Sequence, residues 1–134
     1  FYPYPADSLL GQAHMVAVQA RDPLQGWIDM IYKEALIPPG SDWKVPLGVA
    51  DTLEIRAVYR QQLLGDYARY IVTSTKAWQQ PLRWARFEIH LPEGAEPTEF
   101  SFPFERREDE GGVFYYYEAI EFLPDRDIIV EWSP

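Results

Sequence analysis

Apolar and polar residues alternate through most of this 134-residue chain, the pattern of strands that each bury one face. In 52–63, Leu53, Ile55, Ala57 and Tyr59 fall on one face and Glu54, Arg56 and Arg60 on the other. After Leu64-Gly65-Asp66, the segment 67–75 is expected to return as the second arm of a hairpin. The cleanest alternation covers 83–91. There Ala85, Phe87, Ile89 and Leu91 face one way, Trp84, Arg86, Glu88 and His90 the other, and Pro92-Glu93-Gly94 ends the run. Phe100, Phe102 and Phe104 alternate in a strand whose Pro103 cannot donate to a ladder, which places it at an edge. The acidic stretch Glu105 to Gly112 turns the chain into a strand over 113–120. A last strand alternates Ile128, Val130 and Trp132 with Asp127, Ile129 and Glu131, while Val16, Val18 and Ala20 mark the first.

One segment reads two ways. Asp22-Pro23 followed by Leu24, Trp27, Ile28, Ile31 and Ala35 suits a short helix over 24–36, with Asp as N-cap and Pro at the first helical position. Gly26 would weaken that helix, and Trp, Ile and Tyr sit well in strands. The strand reading makes 22–26 a turn that pairs 14–20 with 27–34. It is preferred because the neighbouring segments are strands. The expected fold is therefore all-β: a single β-sandwich domain over 1–134, immunoglobulin-like in build, with about eight short antiparallel strands. Residues 1–8, rich in Tyr and Pro, form an extended lead-in.

Composition narrows the functions. Twelve prolines punctuate the chain and disfavour long helices. With no cysteine, neither disulfides nor thiolate metal sites are available. The net charge of −9 arises entirely in 93–134, because acids and bases balance before that stretch. No basic stripe exists to neutralise phosphates, so nucleic acid is not an expected partner. No apolar run is long enough for a membrane-spanning helix. A chain opening on Phe rather than Met is read as part of a longer, exported precursor.

Candidate chemistry is sparse. His14 and His90 stand apart, and no nucleophile motif or phosphate loop accompanies them, so no catalytic residue is assigned and an enzyme is not expected. Asp125 and Asp127, just before the last strand, are candidate calcium ligands, although the spacing is not that of an EF-hand and Arg126 stands between them. No other cofactor is expected. Trp43, Trp78 and Trp84, with Arg86 and His90 beside Trp84, form the candidate binding surface, since exposed flat rings beside hydrogen-bonding groups suit protein or sugar contacts.

The run Tyr67-Ala68-Arg69-Tyr70-Ile71-Val72-Thr73-Ser74-Thr75, then Trp78, Pro81-Leu82, Phe87-Glu88-Ile89 and Leu91-Pro92, ends in Phe122-x-Pro124-Asp125-x-Asp127-Ile128 with Trp132. Over about residues 59–132 this resembles a group of exported or envelope-associated bacterial β-sandwich domains of unknown function. The resemblance implies an all-β fold and export. The expectation is a non-enzymatic accessory or interaction domain, with a protein partner or other domains of the same precursor. The alternative is a carbohydrate-binding module that uses the Trp faces to hold a glycan, with calcium at Asp125 and Asp127.

Overall fold

The computed structural model describes residues 1–36, 38–44, 54–74 and 79–134, and their regular structure is almost entirely β. The described strands form four three-stranded sheets, distributed over two compact units, Phe1–Gln62 and Leu63–Pro134. The described residues hold twelve strands where about eight were expected, and each unit has its own core cluster.

The first unit contains β1 (Tyr2–Pro3), β2 (Leu10–Asp22), β3 (Gly26–Asp29), β4 (Tyr32–Leu36), β5 (Pro39–Trp43) and β6 (Ile55–Leu63), in sheets ordered β1-β5-β4 and β3-β2-β6. The segment that reads as helix or strand is two strands. β3 pairs back on β2 with Asp22 opposite Gly26, and β4 pairs with β5. The Asp22 carboxylate accepts the N–H groups of Leu24 and Gln25 at 2.8 and 2.9 Å. Asp-Pro thus opens a turn with the same side-chain chemistry that would have capped a helix. Gly26 completes it at φ +76°, and Leu24, which the helix would have buried, is 96% exposed.

β2 departs from simple alternation. Ala13 and Met15 are buried, then Val18 and Ala20, so the buried phase shifts by one residue and Val16, expected to share a face with Val18, is 49% exposed. The Met15 peptide at this shift is held by side chains of β4. Its N–H donates to Glu34 Oε1 at 2.6 Å, and its carbonyl accepts the Tyr32 hydroxyl at 3.0 Å. The core combines Tyr4, Ala13, Met15 and Val18 with Tyr2, Met30, Tyr32, Trp43, Ala57 and Tyr59 from both sheets. The lead-in belongs to this core: Tyr2 lies opposite Ser41, and Tyr4 stacks on Tyr59 at 5.4 Å.

The second unit contains β7 (Tyr67–Tyr70), β8 (Leu82–Ile89), β9 (Glu96–Phe100), β10 (Glu105–Asp109), β11 (Gly112–Phe122) and β12 (Ile128–Ser133), in sheets ordered β7-β12-β9 and β10-β11-β8. The expected hairpin of 52–63 with 67–75 does not form, because β6 joins the sheet of β2 and β7 joins that of β12. Leu64-Gly65-Asp66 is a bend, and the Asp66 carbonyl accepts the Trp132 N–H at 3.1 Å. The Phe100–Phe104 strand also divides. β9 ends at Phe100, Pro103 lies in the connection, and β10 starts at Glu105, while Phe100 and Phe104 stack across the break at 5.0 Å. β9 and β10 are both sheet edges, and β10 carries a charge on every residue, which disfavours stray pairing. Val72, Ala85, Phe102, Phe122 and Ile128 form the core, with Phe87, Ile89 and Tyr117 packed against it. Near the end of β11, Glu121 takes a left-handed φ of +53°. That turns Phe122 inward, 5% exposed, although Ile120 two residues earlier is 75% exposed.

Burial and the Glu34 carboxylate push the Tyr4 phenol up to about 12 from its ordinary 10. The folded state therefore favours the neutral phenol. This contribution is complete below pH 10 and is lost as pH rises through 12. Melting temperature measured against pH should fall over this window, and Tyr4→Phe should flatten the fall.

Candidate binding face

β8 alternates because Ala85, Phe87 and Ile89 serve the core, which leaves Trp84, Arg86 and Glu88 pointing outward, with His90 just beyond. Pairing with β11 sets their neighbours: Trp84 lies opposite Ile120, Arg86 opposite Glu118, and Glu88 opposite Tyr116. On the far side of β11, Tyr116 lies opposite Glu105 and Phe114 opposite Arg107. Directly opposed residues share a face, so three strands present one continuous outer surface.

This surface is cross-linked by its own side chains. The Tyr116 hydroxyl donates to Glu118 at 2.5 Å, and Arg107 lies over the Tyr116 ring at 3.8 Å while pairing with Glu105. Arg86 stands 5.1 Å from the Trp84 ring centroid, and Trp84 is 53% exposed. The bond from Tyr116 holds Glu118 below the usual carboxylate range, and the Trp84 indole and both arginines add to this. The same bond, from the other side, raises Tyr116. His90 stacks on Phe114 at 5.6 Å with Glu88 3.5 Å away. The result is an exposed Trp84–Ile120 pair bordered by fixed charges.

Of the expected surface, Trp84, Arg86 and His90 share this face. Trp78 lies outside the described residues. Trp43 belongs to the first unit, where it is half-buried and packs 6.0 Å from Tyr2 as part of the core. Tyr116, Glu118, Ile120 and Arg107 complete the β8 face and were not singled out from sequence. The signal for them is Tyr115-Tyr116-Tyr117, in which period two turns only the middle ring outward.

Asp125 and Asp127 have different roles. Asp125 is exposed and pairs with Arg126 at 2.9 Å. Asp127 is 8% exposed and fully engaged. Its Oδ2 accepts Arg69 Nη2 at 2.7 Å and Nε at 3.0 Å. Its Oδ1 accepts the Val72 N–H at 3.1 Å, the Thr73 N–H at 3.2 Å and the Thr73 hydroxyl at 2.9 Å. Burial alone would raise its pKa, but Arg69, Thr73 and the two N–H donors outweigh that and hold it below the ordinary value. Among the described residues, no group of three or more His, Asp or Glu gathers as a metal site. The other histidine, His14, lies 3.7 Å from Glu34 on β4.

Comparison with protein-family models, with curated proteins and with solved structures finds no match to this chain. Among the described residues, no helix is long and apolar enough to cross a membrane.

Asp127→Asn removes the charge but leaves Arg69 in place. It should cost about 2–3 kcal/mol at neutral pH, below the figure for a fully buried pair because Arg69 is partly exposed. Since the folded pKa is depressed, the stabilisation is present above about pH 4 and lost as pH falls through the folded value. Chemical denaturation at several pH values should show the variant losing less stability than the parent on acidification.

Proposed function

We propose that this chain is a non-enzymatic interaction domain, an accessory part of a larger bacterial envelope or extracellular protein, and that it makes contact through the outer face of β8, β11 and β10. The observation that carries this reading is the exposed Trp84 lying directly opposite the exposed Ile120, with Arg86 and Glu118 next along the same face and Tyr116 and Arg107 beyond them. An aromatic and an aliphatic anchor beside ordered polar groups suit a contact patch, and pre-ordered side chains lose less entropy on binding. Several ionisable groups with shifted pKa values have structural tasks: Asp127 and Glu34 accept backbone N–H groups, and Tyr4 bonds Glu34. The resemblance of residues 59–132 to exported domains supports the location, which cell fractionation tests.

A second reading, glycan binding, is favoured by one feature. The Trp84 ring is flanked by a guanidinium and a carboxylate, groups that bond sugar hydroxyls while a ring stacks on the indole.

Two measurements separate these readings. A photo-crosslinking amino acid in place of Ile120, introduced in the cell that makes the protein, should give protein adducts that Trp84→Ala removes. The same probe in place of Glu110, at the hairpin tip, should not. Equal adducts from both positions, or none from 120, would overturn the protein-contact reading. Retention on immobilised polysaccharides that Trp84→Ala abolishes would establish the glycan reading in its place. Trp84→Ala itself should change stability by less than about 1 kcal/mol, because the ring lies outside the core.

A further inference from the structure

β8 is eight residues long and terminal in its sheet: among the described residues, β11 pairs with one of its sides and no strand pairs with the other. A terminal strand presents unpaired backbone donors and acceptors, which invites strand addition. Beside it lies an open slot of about 410 Å³, lined by Tyr70, Arg86, Phe87, Glu88, Ile89 and Ile128. The other edges of this unit are disfavoured in other ways: every residue of β10 is charged, β9 contains Pro97, and β7 is only four residues long. β8 contains neither a proline nor a run of like charge.

The order of side chains along β8 selects an occupant. Antiparallel pairing of two copies about a twofold axis through Phe87 sets Arg86 of each copy opposite Glu88 of the other. The same register sets Trp84 opposite His90, Ala85 opposite Ile89, and Phe87 opposite itself. Outward residues meet outward residues and inward residues meet inward ones, so the faces of both sheets are preserved. Both charge pairs are of opposite sign, and the His90 ring faces an indole. We infer that a second copy of this chain pairs with the β8 edge, joining two three-stranded sheets into one six-stranded sheet and covering the slot. The inference extends the reading of the β8 face as a contact surface by naming this chain as a partner.

Analytical ultracentrifugation over a range of protein concentrations tests it. The parent chain should pass from monomer to dimer as concentration rises. Arg86→Glu places like charges opposite each other twice, as does Glu88→Arg, and each should weaken association about tenfold or more. An equimolar mixture of the two variants should recover parent-like association, since every 86–88 contact is then again of opposite sign. The doubly exchanged chain, Arg86→Glu with Glu88→Arg, should recover it as well. Melting temperatures close to the parent's confirm that the single variants are folded, and recovery in the mixture is a readout that misfolding would not give. A parent chain that stays monomeric throughout, single variants that associate like the parent, or a mixture that stays monomeric would each overturn self-pairing. A monomeric parent that still gives crosslinks from position 120 to another protein would overturn only self-pairing and leave the contact-face reading standing. A chain with neither would lose both.

Discussion

A three-stranded sheet of short strands is marginal in water unless it buries one face, and that constraint shapes both units of this protein. Each unit meets it in the same way, with side chains from two such sheets gathered in one aromatic-rich cluster. Rings supply more buried area per residue than aliphatic side chains, which lets small sheets close a core. In the second unit Phe87, Phe102, Tyr117 and Phe122 contact one another at centroid distances from 5.2 to 6.4 Å. In the first, Tyr2, Tyr4 and Tyr59 do the same, which explains why the Tyr-Pro lead-in is part of the fold.

Irregularities and ends of strands also leave backbone groups without ladder partners, and side chains from the opposing sheet or a neighbouring loop satisfy them. The Met15 peptide is clasped by Tyr32 and Glu34. Asp127 takes the N–H groups of Val72 and Thr73 where the chain leaves β7. Ser101 accepts the Ile129 N–H and donates to the Asp127 carbonyl. Among the described residues, every buried side-chain nitrogen or oxygen has a partner. Polar groups this far inside would be costly if left unpaired, so these contacts restrict the packings the sheets can adopt.

The outer faces follow a different rule. Arginines lie over aromatic rings at Trp27, Trp84 and Tyr116, with centroid distances from 3.8 to 5.1 Å, and Arg126 covers the core ring of Phe102 in the same way. A guanidinium on a ring keeps the ring ordered and the charge hydrated. In the last third of the chain, aromatic residues therefore lie on both sides of the same strands. Tyr115 and Tyr117 turn inward, while Tyr116 and Glu118 turn outward.

Much of this was legible in the sequence. The all-β class, the two faces of 83–91 and the turn at 22–26 are local consequences of side-chain period and turn chemistry, so Trp84, Arg86 and His90 could be assigned to one face directly. The rest depended on nonlocal contacts. Asp22-Pro23 opens a helix or a turn with the same hydrogen bonds, and only the pairing of β3 with β2 distinguishes them. Met15 rather than Val16 is buried, at the point where Glu34 and Tyr32, on another strand, bond the Met15 N–H and carbonyl. The partners of β6 and β7 depend on which strands complete each core, not on the bend that joins them. The partners that bury Asp127, Arg69 and Thr73, lie more than fifty residues earlier, so the sequence around it does not show them. The sequence alone determined which side of each strand is apolar, since that follows from neighbours two residues apart. The tertiary structure decided which strands pair and which carboxylate is buried, because those depend on contacts between residues distant along the chain.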